Sequence, residues 1–191
     1  GHNNLAINEL KRYNNTNSQM RFDYLDYLHG LLLLQKNDNN AVNFLFRYVN
    51  NFKGIHNIKT AYQKIAWYYL INGDTAKYEY YMNIIKQVGN SISDADKLAQ
   101  KEAESNIIPH PQLLQAQLLS DGGYYEEALN ILNNIDSTKI CKKTLLCVEY
   151  KYRKARVLHL QNKEYQAIQY YNETIIQGKD LKEYFAANSA L

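Results

Sequence analysis

Apolar residues recur along this chain at intervals of three and four, in runs separated by short polar stretches. Phe22, Leu25, Leu28 and Leu32 form one run; Val42, Leu45, Phe46, Val49 and Phe52 form the next. This rhythm gathers apolar side chains on one face of an α-helix. The same alternation pairs residues 58–70 with 76–88, 113–119 with 125–132, and 143–160 with 165–176. Between the members of each pair lies a polar break: Lys36-Asn37-Asp38, Asn72-Gly73-Asp74, Asp121-Gly122-Gly123 and Asn162-Lys163-Glu164. Across each break, residues twelve positions apart are paired: Gly30 with Val42, Ala66 with Tyr78, Ala116 with Ala128, and Ala155 with Ala167. Two helices of a hairpin approach closely only where small side chains allow it. Gly54, Gly89 and Gly178 are expected to end the first, second and fourth hairpins, as glycine does past a helix C-terminus.

A helix-turn-helix phrase said four times implies stacked hairpins, each covering the apolar face of its neighbour. The expected fold is therefore all-α, a right-handed α-α superhelix of repeats at about 18–54, 57–89, 111–136 and 143–178. Residues 1–17 read as an N-terminal helix or the remnant of an upstream repeat, and residues 181–191 as the start of a further one. Because the chain ends inside that last run, the native protein is expected to continue. Residues 91–110 interrupt the period. There Ser93 suits an N-cap, with Asp94 and Asp96 at the positive end of an extra helix over about 93–106, and Pro109 and Pro111 close it. Pro111 fits the first turn of the next helix.

Three stretches resemble tetratricopeptide repeats: Gly73-Asp74 before Tyr78, Tyr80 and Tyr81; Gly123-Tyr124-Tyr125-Glu126-Glu127-Ala128-Leu129; and Lys163 to Tyr171. The likeness covers about residues 18–191. Val42 and Tyr78 depart from it where a small residue is usual, as does Glu164 where an aromatic is expected. The wider pattern is similar to repeat proteins of the Bacteroidetes. The resemblance implies a non-catalytic scaffold that takes a peptide or partner protein in a concave groove built from the first helix of each hairpin. By position in those helices, the groove residues would be Tyr24, Tyr27, Gln63, Trp67, Gln117, Tyr152, Arg156 and His159. Tryptophan, tyrosine and arginine dominate interface energetics, and Trp67 is the only tryptophan. Two other roles stay open: a sensory or regulatory repeat domain of a larger signalling protein, and an RNA-binding helical repeat.

Composition narrows the field. Acids interleave with bases and the net charge is only +3, so nucleic acid is a poor fit as partner. The densest basic and aromatic cluster, Glu149 to Arg156, is expected to be a solvated helix face, with Glu149 and Arg153 at pairing distance. Eighteen tyrosines against five phenylalanines suit helices whose faces are half covered. Five scattered histidines show no metal-binding pair, no serine lies in a nucleophile elbow, and Gly122-Gly123 is a turn, so neither enzyme, metal nor cofactor is expected. Asp94, Asp96, Glu102 and Glu104 are expected to be surface acids. Cys141 and Cys147 would sit about 9 Å apart along one helix and off a common face. They are therefore expected as two buried thiols, a bridge requiring a non-helical first turn. The longest apolar run, Leu31 to Leu34, is far too short to span a membrane. The chain opens Gly1-His2 with no methionine, as at a cleavage scar or an artificial boundary, so a native leader would be missing; the missing N-terminus and the Bacteroidetes likeness lean faintly towards the cell envelope.

Overall fold

The computed structural model describes residues 2–15 and 22–191, and every element among them is helical. The expected boundary between residues 17 and 18 lies outside these residues. The chain divides into two compact units, residues 1–111 and 112–191. The first holds α1 (His2–Asn15), α2 (Asp23–Gln35), α3 (Ala41–Asn51), α4 (Ile58–Ile71), α5 (Thr75–Ile85) and α6 (Asp94–Ser105). The second holds α7 (Pro111–Asp121, its first residue closing the first unit), α8 (Tyr125–Asn133), α9 (Ser137–Ile140), α10 (Thr144–Leu160), α11 (Glu164–Gly178) and α12 (Phe185–Ser189).

The four hairpins α2/α3, α4/α5, α7/α8 and α10/α11 share one turn, bond for bond. In each, the second residue past the first helix has a left-handed backbone: Asn37, Gly73, Gly123 and Asn162, with φ between 58° and 84°. The next residue donates its N–H back to the helix, Asp38 to Leu33, Asp74 to Tyr69, Tyr124 to Leu119 and Lys163 to Leu158, at 2.8–2.9 Å. The left-handed residue donates to Leu34, Leu70, Ser120 and His159 in turn. This six-to-one and five-to-two pairing is the Schellman C-cap, which satisfies carbonyls that a helix end leaves open. Asparagine fills the left-handed place in two turns and glycine in two, the residues that tolerate it best. A Cβ at Gly73 would meet nothing within 4 Å, so only the backbone opposes substitution. Gly73→Ala is therefore expected to cost about 1 kcal/mol in urea unfolding, with an unchanged slope.

All eight small or apolar residues paired across these turns are buried. At Gly30 the approach is tightest: a Cβ there would lie 2.7 Å from Leu45 Cγ and 3.1 Å from the Ala41 carbonyl. Tyr27, Val42, Leu45, Tyr48, Ala61 and Ile65 form a core in the first unit. In the second, Leu113, Ala116 and Leu119 of α7 meet Ala128 and Leu132 of α8 and Tyr150 and Val157 of α10.

The end of α11 and the run that follows it both pack against α10. α11 ends at Gly178, as expected, though without a left-handed turn: the glycine is the last residue of the helix, buried, where a Cβ would sit 3.0 Å from Val148 Cγ1 and 3.2 Å from Ala186 Cβ. It is a packing glycine that lets α11 approach α10. The run at 181–191 forms only the short helix α12, anchored by Phe185 against Val148 and Tyr152.

Candidate functional site

The interrupting segment does not hang from the surface. Ser93 caps α6 as expected, accepting from the Asp96 amide at 3.1 Å. Ala99 and Ala103, one turn apart and buried, let α6 lie close against α4 and α5. Asp96 is 0% exposed and its carboxylate accepts four hydrogen bonds: from the Asn57 amide at 2.8 Å, the Thr60 amide and hydroxyl at 3.0 Å each, and the Ser93 hydroxyl at 2.7 Å. It thus caps α4 from a different helix, at the end where backbone N–H groups and the dipole favour an anion. Further along, Glu102 accepts from the Trp67 indole N–H at 2.8 Å and from the Gln63 amide. Burial pushes the Glu102 carboxyl above its usual range, opposed by those two bonds and by the Lys64 ammonium. Lys64 itself stands 3.5 Å over the Trp67 ring and donates to the Gln63 carbonyl. Lys59, also buried, donates to the Ile85 carbonyl at 2.7 Å and to Gln100 at 2.8 Å.

The reading of Asp96 and Glu102 as surface acids is corrected by this arrangement: both hold α6 on α4, while Asp94 and Glu104 remain exposed. Gln63 and Trp67 lie in this contact, engaged by the chain's own carboxylate. Tyr27 belongs to the core, its hydroxyl raised to about 12 chiefly by burial, and Tyr24 stacks on it at 5.6 Å, half exposed.

In the second unit three of the expected residues come together. α7, α10 and α12 line a half-open cleft of about 130 Å³, bounded by Gln117, Ser120, Tyr152, Arg156, Tyr184 and Asn188 among others. Helical spacing explains the grouping. Gln117 and Ser120 are one turn apart on α7, Tyr152 and Arg156 one turn apart on α10, Tyr184 and Asn188 one turn apart at α12. Tyr152 is buried, and its hydroxyl oxygen receives Arg156 Nη1 at 3.4 Å and Asn188 Nδ2 at 3.5 Å. That bond holds the Arg156 guanidinium in its charged form, with Asp121 adding to the effect. The neighbouring cations are engaged elsewhere: Arg153 with Glu149, Lys151 with Glu173, and Lys154 against the rings of Tyr150 and Tyr170. The cluster is thus an interlocked helix face rather than a solvated one. His159 sits apart, edge-on to Tyr171 at 6.1 Å, on an open hollow of about 390 Å³ with Ile168 and Leu191.

The cysteine expectation is overturned. Cys141 and Cys147 form a disulfide, with Cα atoms 4.3 Å apart. Helix α10 begins only at Thr144, and the short helix α9, capped by Asp136, turns the chain so that Cys141 lies outside the first turn. That helix was missed; Asp136 two residues before Thr138 was its available signal, since the carboxylate accepts from the Thr138 and Lys139 amides. Cys141 is exposed and Cys147 buried.

Among the described residues no group of three or more His, Cys, Asp or Glu side chains is arranged to hold a metal ion. No helix among them is long and apolar enough to cross a membrane. No family model, curated protein or solved structure matches the chain.

Proposed function

We propose that the chain is a non-catalytic scaffold of tetratricopeptide-like repeats, stacked as a right-handed superhelix, that binds a peptide segment of a partner protein. The observation that carries this reading is the cleft of residues 112–191, where the first helices of consecutive hairpins present Gln117, Tyr152 and Arg156 to one opening. The four matching hairpin turns support the repeat assignment. A planar guanidinium beside tyrosine hydroxyls and amides offers directional hydrogen bonds to a peptide backbone or acidic group, next to apolar ring surface. Within residues 1–111 the expected positions Gln63 and Trp67 are engaged by α6, whereas within residues 112–191 the cleft is open. The disulfide supports work in an oxidising compartment such as the cell envelope, because such bonds persist there and are rare where thiols are kept reduced.

The test is a displayed peptide library selected on the purified protein. Selected peptides are expected to lose about tenfold or more in affinity for the Arg156→Ala and Gln117→Ala double variant, whose helix content and melting stay unchanged. Trp67→Phe should leave affinity intact. Peptides that bind the double variant as tightly as the parent would remove the cleft from the account.

A further inference from the structure

The disulfide of residues 112–191 is lopsided. Cys141 is exposed, whereas Cys147, the fourth residue of α10, is buried. Thiol exchange is an in-line displacement, in which a thiolate approaches one sulfur from the side opposite the other, and the other leaves. An approach to Cys147 opposite Cys141 lies on its buried side, and Gln177 Oε1 of α11 already stands 3.6 Å from that sulfur. An approach to Cys141 starts in solvent.

The surrounding charges favour the same end. Lys142 and Lys143 follow Cys141 directly and are exposed, and the nearest acid along the chain, Asp136, is already paired with Lys139 at 3.2 Å. Such a surface draws anions, and the attacking species is a thiolate. The leaving side is prepared as well. A helical side chain points back towards its N-terminus, and the bridge to a residue preceding α10 holds the Cys147 sulfur there. A helix N-terminus makes a thiol more acidic, and a more acidic thiol departs faster.

The segment keeps its place by other means than the bridge. Ile140, beside Cys141, is buried in the core with Leu113, Leu132 and Tyr150, and Asp136 caps α9 through the Thr138 and Lys139 amides. Gln177 supplies what the opened form needs. In the bridge the Cys147 sulfur has no proton to share with that oxygen, whereas a Cys147 thiol would donate to it.

We propose that Cys141 is a thiol-exchange site, at which an anionic thiol becomes linked to this protein through a mixed disulfide. The incoming thiolate forms a bond to Cys141 Sγ while the Cys141–Cys147 bond breaks, and the electron pair leaves on Cys147 Sγ. The Cys147 thiolate then takes a proton from water and donates it to Gln177. One disulfide has replaced another, with no net oxidation. A second thiolate attacks the outer sulfur of the mixed disulfide and releases Cys141 as a thiolate. The two incoming thiols are thereby oxidised to their own disulfide as the protein's bridge is reduced. This site stands independently of the peptide cleft.

In the test, the whole chain meets the anionic monothiol mercaptoethanesulfonate in native buffer, is trapped in acid with an alkylating reagent, and is mapped by mass spectrometry. Adduct on Cys141 should exceed that on Cys147 by about tenfold or more, with Cys147 recovered as an alkylated thiol. Corrected for thiolate fraction, the rate should exceed that of the cationic thiol cysteamine and should fall as salt is raised. Helix content should be unchanged. Cys147→Ala, which cannot close again, should hold the adduct on Cys141 when given the reagent's disulfide, whereas Cys141→Ala should resist it in native buffer. Adduct shared evenly between the two cysteines, exchange that begins only in denaturant, a cationic thiol that reacts as fast as the anionic one, or loss of helix content on exchange would each overturn the proposal.

Discussion

Asp96→Ala is expected to destabilise residues 1–111 by about 4 kcal/mol, the largest loss from any single side chain described above. The carboxylate gathers four hydrogen bonds in a fully buried place. Alanine would strand the Asn57 and Thr60 amides at the start of α4, leave the Thr60 hydroxyl unpaired, and free the α6 N-terminus together. Bonds to a charged acceptor are individually stronger than neutral ones, and buried donors left without a partner incur their full desolvation cost. For a unit of this size the loss corresponds to a fall of about 15 °C or more in melting midpoint. Asp96→Asn, which keeps the shape and one acceptor oxygen, should fall between. The measurement is thermal and urea unfolding followed by circular dichroism and tryptophan emission. A loss under about 1 kcal/mol in Asp96→Ala would mean that α6 is not held to α4 in this way.

Replacing both cysteines, by Cys141→Ser with Cys147→Ala, is expected to cost residues 112–191 about 2 kcal/mol. Closing a loop of seven residues removes about that much chain entropy from the unfolded state. The bond also does a local task. Lys143 stands at the N-cap of α10 and makes no side-chain capping bond. The bridge joins a residue two before that cap to the fourth residue of the helix, a covalent counterpart of the hydrophobic staple that sets how a chain leads into a helix. Since α10 carries Tyr152 and Arg156, loosening its first turn should also raise the exchange of its amides before it changes the core. Cys147 is buried but Cys141 is exposed, so reductant should reach the bond through the Cys141 sulfur in native buffer. Mass-spectrometric thiol counting checks both statements; two thiols in the untreated protein would refute the bridge.

The helices were legible because each depends on its own residues. Leu25, Leu28 and Leu32, or Ala128, Leu129 and Leu132, mark a face wherever they stand, and Asn72-Gly73-Asp74 is a turn by its own chemistry. Even the extra helix and its Ser93 cap followed from local signals. What escaped was tertiary. Asp96 looks like any first-turn acid until α4 is placed beside it, and Glu102 like any surface glutamate until Trp67 and Gln63 point at it. The Ala99 and Ala103 stripe was the one hint of a close neighbour. The disulfide escaped because one continuous helix was assumed across Cys141 and Cys147. Abundant asparagine carried no meaning in composition alone, yet Asn37 and Asn162 do the work of glycine in two of the four turns. For the site, residue type and helical position brought Gln117, Tyr152 and Arg156 together, whereas Tyr27, Gln63 and Trp67 depend on what covers them.

The lone indole also makes the molecule its own two-channel instrument. Trp67 sits between a carboxylate and an ammonium, in the half of the chain that ends at residue 111, and the other half has no tryptophan. Its emission follows the melting of that half and is blind to the second, while the amide dichroism sums over both. A denaturation series in which the two signals part company would therefore read each half's stability in a single cuvette, with no label attached.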